Sequence, residues 1–151
     1  MPHFILERGR GRCLALLSPQ ENAPPGTGWR ALPPGFGGDV TCGIFLLGPG
    51  VPMARRPERV RCRAAILPGT DCAALGSCLE TPCAVTYGLS SRDTLTLSSL
   101  SGRQAVVALQ REVVDLSGCC HERQEWTASI PPGVGRLQFL AAEAAKLLIG
   151  T

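Results

Sequence analysis

Lysine is nearly missing from this chain: Lys146 stands alone among 15 basic residues, and the rest are arginine. That excludes a self-sufficient phosphate-loop nucleotide enzyme, whose Gly-rich loop needs a lysine reaching the phosphates. Aromatic residues are also scarce, at 5 % of the chain, so surfaces for stacking bases are few and nucleic acid is disfavoured as a partner. No apolar run approaches the ~20 residues that span a bilayer, so no membrane association is expected. The longest candidate, Val40 to Leu47, is short and contains Thr41, Cys42 and Gly43. The start of the chain, Met1 to Arg8, has no basic region ahead of an apolar run and does not read as a secretion signal. A cytoplasmic location is therefore expected, with the eight cysteines as reduced thiols rather than a disulfide framework.

What is present fits a folded domain of ordinary size. Hydrophobic residues make up 44 % and charged residues 18 % of 151 residues, a balance that supports a core. Glycine and proline are concentrated in the first fifty residues. Residues 1–39 read as a loop-rich segment, with a hairpin of Phe4-Ile5-Leu6 and Cys13 to Leu17 around the basic turn Arg8 to Arg12. Ser18 to Asp39, with Pro24-Pro25 and Pro33-Pro34, reads as an irregular loop.

From residue 40 onward the pattern predicts a mixed-sheet α/β domain. Val40 to Leu47 and Val60 to Leu67 read as buried strands, and Thr70 and Asp71 as caps of a short helix through Leu75. Cys83 to Tyr87 reads as a further strand, giving a parallel β-α-β unit. Three strands follow, beginning at Thr94, Gln104 and Glu122. They are punctuated by Ser101-Gly102 and Ser117-Gly118 and predict an antiparallel three-stranded meander. Gln104 to Leu116 reads as one continuous β run. Leu137, Leu140, Ala141, Ala144 and Leu148 recur at spacings of three and four and predict a C-terminal packing helix over Arg136 to Ile149. Glu143 and Lys146 fall off that stripe.

The run Val85-Thr86-Tyr87-Gly88-Leu89-Ser90, the meander after it, and Phe139-Leu140-Ala141-Ala142-Glu143-Ala144-Ala145-Lys146-Leu147-Leu148-Ile149-Gly150 together resemble the later part of the Mur ligase central domain. Those enzymes are the ATP-dependent amino-acid ligases of bacterial peptidoglycan precursor synthesis. The strand and short helix from Val60 to Cys78 extend the resemblance to roughly residues 60–151. It implies a shared local fold and a link to cell-wall precursor metabolism. The family's phosphate loop has no counterpart. Pro33-Pro34-Gly35-Phe36-Gly37-Gly38 and Gly48-Pro49-Gly50 are not followed by Lys and Ser or Thr, and no catalytic residue can be carried over. The reading that results is a non-catalytic domain without a cofactor, binding a protein partner or a small ligand.

In α/β sheets ligands bind beyond the carboxyl ends of parallel strands. That places the candidate ligand-binding residues at Thr70 and Asp71, and at Tyr87, Gly88, Ser90, Ser91, Arg92 and Asp93. The plainer alternative is a helix cap at Thr70 or Asp71 and a turn salt bridge between Arg92 and Asp93.

Two other clusters compete. Cys119-Cys120-His121 at a turn could supply a thiolate nucleophile and its base, making the chain a thiol-dependent enzyme. No acid or amide partner for His121 is identifiable, and an incidental turn is the plainer reading. A zinc site among Cys72, Cys78, Cys83, Cys119, Cys120 and His121 lacks the usual paired spacing, so no metal is assigned. Cys42, Cys62 and Cys83 fit buried thiols. Arg55 to Arg63 holds five arginines that could meet nucleic acid or an acidic surface, but a solvated strand edge blunted by charge explains them as well. Edge strands of the sheet could also pair two copies into a homodimer.

Overall fold

The structure, a computed structural model, describes residues 13–16, 29–31, 38–51 and 57–150. Its strands are β1 (Cys13–Leu16), β2 (Trp29–Ala31), β3 (Asp39–Leu47) and β4 (Arg59–Pro68). A 3-10 turn (Gly69–Asp71) and a short helix α1 (Cys72–Leu75) lead to β5 (Leu79–Glu80) and β6 (Ala84–Tyr87). Then come β7 (Leu95–Ser101), β8 (Gln104–Leu109), β9 (Val113–Val114), β10 (Cys120–His121), β11 (Gln124–Ser129) and the helix α2 (Arg136–Ile149).

The described strands form a nine-stranded mixed sheet in the order β11-β8-β7-β6-β4-β3-β1-β2, with β5 added on β4, and a separate β9–β10 ribbon. The middle is parallel: β3 on β4, β4 on β5 and β6, and β6 on β7. The flanks are antiparallel, β7-β8-β11 on one side and β3-β1-β2 on the other. Parallel strands need both faces covered, and the composition of β3 and β4 answers that need. Ile44, Leu46, Ala64 and Ile66 belong to the core under α2, while Phe45, Leu47, Ala65 and Leu67 belong to a second core with Leu75 of α1.

Helix α2 spans the range its periodicity predicts. Leu140, Ala141, Ala144 and Leu148 are buried, and Leu137 is half-buried. Gly135 at its start has no side chain to cap with, so only the return half of a capping box forms. The Gly135 N–H donates to Oε1 of Gln138 at 3.1 Å. At the other end Gly150 takes a left-handed conformation, φ 85°, and its N–H donates to the Lys146 carbonyl at 3.0 Å. Glu143 is buried, although it lies off the apolar stripe. Trp126 of β11 packs beside the helix and its Nε1 donates to Glu143 Oε2 at 3.3 Å.

Several expectations change. Trp29–Ala31, inside the segment read as irregular, is a strand that pairs with β1. β1 also pairs with β3, while Phe4 to Arg12 of the expected hairpin lie outside the described residues. The β run from Gln104 breaks at Gln110 to Glu112. Gln110 turns back to the preceding loop, its N–H donating to the Thr94 carbonyl at 2.8 Å and its Nε2 to the Asp93 carbonyl at 2.7 Å. The polar triplet thus ends β8, and Val113–Val114 leaves to form the ribbon. Neither the 3-10 turn nor α1 has a side-chain cap at its start, so the capping role expected of Thr70 or Asp71 is not the one they play.

Leu140 is fully buried between α2 and the sheet. Leu140→Ala is expected to cost about 2–5 kcal/mol of stability, read from urea unfolding. A cost under about 1 kcal/mol would contradict this packing.

Candidate functional site

The parallel strands β4 and β6 end side by side, with Pro68 in register with Tyr87. The backbone that follows each strand therefore leaves the sheet at the same edge. The two segments line one cavity of about 540 Å³, walled by Pro68, Gly69, Thr70, Tyr87, Gly88, Leu89, Ser90, Arg92 and Asp93, with Leu137 from the start of α2. Of the residues singled out in sequence, Thr70, Tyr87, Gly88, Ser90, Arg92 and Asp93 line it; Asp71 and Ser91 do not. Nothing in the sequence points to Leu137 or Leu89 here: Leu137 falls on the apolar stripe of the helix, and Leu89 carries no polar signal.

Asp93 organises this site from inside. Its carboxylate is buried and accepts from the Ser90 N–H at 3.0 Å, closing the loop on itself. The same carboxylate presses against both Gly69 and Gly88, where a methyl group at either position would overlap it. Two glycines, one after each strand, thus make room for a single acid that joins the two segments. Asp93 forms no ion pair with Arg92, contrary to the turn salt bridge considered from sequence. Thr86 and Thr94 tie the base of the loop, the Thr94 N–H donating to Oγ1 of Thr86 at 3.0 Å. Arg111 donates to the Arg92 carbonyl at 2.7 Å, so the Arg92 backbone is held while its side chain stands at the exposed rim. Tyr87 is fully buried and donates its hydroxyl to the Leu47 carbonyl at 2.7 Å. Burial, and then the charge of Asp71, push its phenol up, so it serves as a neutral strut rather than a proton donor to ligand.

The Cys119-Cys120-His121 cluster gains a partner that sequence did not supply. Asp115 is buried in the turn before Gly118 and accepts at Oδ1 from the Ser117 N–H (2.9 Å), the Ser117 hydroxyl (2.6 Å) and the Cys119 N–H (3.0 Å). Its Oδ2 lies 2.8 Å from Nε2 of His121. The Ser117 hydroxyl first, and then the His121 ring, hold the Asp115 carboxyl well below the usual carboxylate range. The backbone amides add to this, and burial opposes it. Cys119 and Cys120 are exposed. Partial loss of solvent, then Glu112 and Glu122, push the Cys120 thiol up, so it is poorly suited to nucleophilic work.

The described cysteines from Cys42 to Cys120 are free thiols. Cys62 is buried, and Cys42 faces it in register and is half-buried. Burial and the neighbouring Cys62 push the Cys42 thiol up to about 12, and burial likewise raises Cys83. Arg59, Arg61 and Arg63 are exposed on β4, alternating with buried Val60 and Cys62. Arg61 pairs with Glu80 at 2.9 Å and Arg63 donates to the Leu116 carbonyl at 2.8 Å, while Arg55 and Arg56 lie outside the described residues. Among the described residues no helix is long and apolar enough to cross a membrane. No protein-family model, curated protein or solved structure matches the chain.

Two outcomes are expected. Gly88→Ala should destabilise the protein by about 1–3 kcal/mol, and by much less in an Asp93→Ala background, as a double-mutant cycle would measure. Equal costs in both backgrounds would remove the proposed wedge. Asp115→Asn should cost on the order of 1–3 kcal/mol at neutral pH, because donors lose their charged acceptor. The folded-state pKa of Asp115 is depressed, so its stabilisation is complete above the unfolded pKa of about 3.9 and fades as pH falls below it. The gap between the two proteins should therefore begin to narrow below about pH 4 and close only in strong acid. A gap that persists undiminished into strong acid would contradict that assignment.

Proposed function

We propose that this chain is a non-catalytic, Mur-ligase-like domain that binds a small ligand in the cavity beyond β4 and β6, in a setting of cell-wall precursor metabolism. The observation that carries this reading is the convergence of two separate loops on one cavity at the carboxyl ends of parallel strands, the usual place for ligands in such sheets. At about 540 Å³ the cavity falls within the range of small-molecule sites, roughly 300–1,000 Å³. Its character suits a partly apolar ligand with a polar or anionic group. Pro68, Leu89 and Leu137 supply apolar surface, and Thr70, Ser90 and Arg92 supply donors. Leu89, 53 % exposed at this site, adds apolar surface that a ligand or a protein partner would cover. The strand ending in Tyr87-Gly88, the meander and the Ala-rich helix support the Mur-type comparison. The missing lysine-bearing phosphate loop supports binding without ligation.

Thermal melting with nucleotides and with peptidoglycan precursors tests the reading. A binder present at 100 times its Kd should add about 2.7 kcal/mol of stability, and Arg92→Ala should diminish that gain while leaving the unliganded melting temperature nearly unchanged. ATP turnover by the purified chain would contradict a non-catalytic role. A stabilisation indifferent to Arg92→Ala and to Leu89→Arg would place the ligand elsewhere.

A further inference from the structure

We propose that Asp115, Cys119 and His121 form a mononuclear zinc site at the C-terminal end of α2. One oxygen, one sulfur and one ring nitrogen from these residues lie within 4.8 Å of one another. A tetrahedral zinc ion holds such atoms roughly 3.3–3.6 Å apart, given Zn–O and Zn–N of about 2.0 Å and Zn–S of about 2.3 Å. The adjustment needed is a swing of the exposed Cys119 side chain and a slight parting of Asp115 Oδ2 and His121 Nε2, whose 2.8 Å hydrogen bond the ion would replace.

The surroundings favour a cation independently of that distance. The Leu116 N–H donates to the Leu148 carbonyl at 2.9 Å, and the Asp115 carboxylate lies against Gly150, just past the last turn of α2. A carboxylate there faces the negative end of the helix, which repels it and attracts positive charge. The ammonium of Lys146, in the last turn, is 3.5 Å from Glu143 and already paired. Asp115 is also oriented as a ligand would be. Three donors saturate Oδ1, leaving Oδ2 toward His121. Such hydrogen bonds behind a ligand fix its direction and raise its affinity.

A divalent ion supplies the positive charge that a thiolate ligand needs. On binding, the Cys119 Sγ–H bond breaks and its proton leaves to solvent, the His121 proton shared with Asp115 moves to the other ring nitrogen by exchange with water, and the freed thiolate sulfur and ring nitrogen bond the metal. Three protein ligands leave a tetrahedral ion one position for water, the pattern of open rather than closed zinc sites. A cavity of about 230 Å³ begins at His121 and continues past Gln124, Trp126 and Glu143. The site is distinct from the ligand cavity at Leu137. The two lie at opposite ends of a helix of 14 residues, which is about 21 Å long at 1.5 Å per residue.

Cobalt(II) titration of the chelator-treated chain tests the site, because a thiolate–cobalt bond gives a near-ultraviolet charge-transfer band. One cobalt per chain is expected, displaced by zinc, with affinity reduced more than about 100-fold in Cys119→Ser and His121→Ala and unchanged in Cys120→Ser and Cys72→Ser. In the unmodified protein, zinc should shield Cys119 but not Cys72 from iodoacetamide, read by mass spectrometry, which needs no variant to fold. Absence of the band, its persistence in Cys119→Ser, its loss in Cys72→Ser, or zinc-independent alkylation of Cys119 would each overturn the proposal.

Discussion

The packing of α2 across the parallel strands of the sheet sets the position of every feature that could carry function. Ala141, Ala144 and Ala145 are small enough to let the helix approach closely, while Leu140 and Leu148 fill the space beside Ile66, Val85 and Tyr87. Because α2 runs counter to the strands, its first turn lies by the ends of β4 and β6, and its last turn reaches the β9–β10 region. The helix thereby holds the cavity beyond β4 and β6 at one end and the Asp115 cluster at the other. Loss of that apolar contact would dissolve both.

Asp93 and Asp115 solve similar problems in different ways. Each is a buried carboxylate inside a turn, where ionised oxygen must be met by donors. Asp115 gathers a hydroxyl, two backbone amides and an imidazole. Asp93 has one amide and otherwise leans on the backbone of Gly69 and Gly88. The first arrangement is the more fully satisfied; the second holds its carboxylate with a single amide donor at the wall of the cavity.

Much of the architecture was legible in the sequence, because the signals were local. The helix from Arg136 to Ile149 announces itself by spacing, and the parallel strands by short apolar stretches ended at Pro68-Gly69 and Gly88. That the segments after β4 and β6 meet at one cavity followed from strand direction alone. What stayed hidden depends on contacts distant in sequence. Trp29–Ala31 has strand character only because β1 lies beside it. The break after Leu109 is set by Gln110 reaching back to Asp93, and the role of Asp93 depends on glycines on two different segments. Asp115 was invisible as the partner of His121, since it sat within what read as a continuous strand; the polar triplet Gln110 to Glu112 was the available sign of the break.

The central claim, that the two loops after β4 and β6 act together as a ligand site, is addressed most directly by backbone amide NMR during titration with nucleotides and peptidoglycan precursors. The account predicts saturable shifts grouped at Gly69, Thr70 and Gly88 through Asp93, with Leu137 following the same curve. Shifts confined to other surfaces, or movement of one loop without the other, would contradict it.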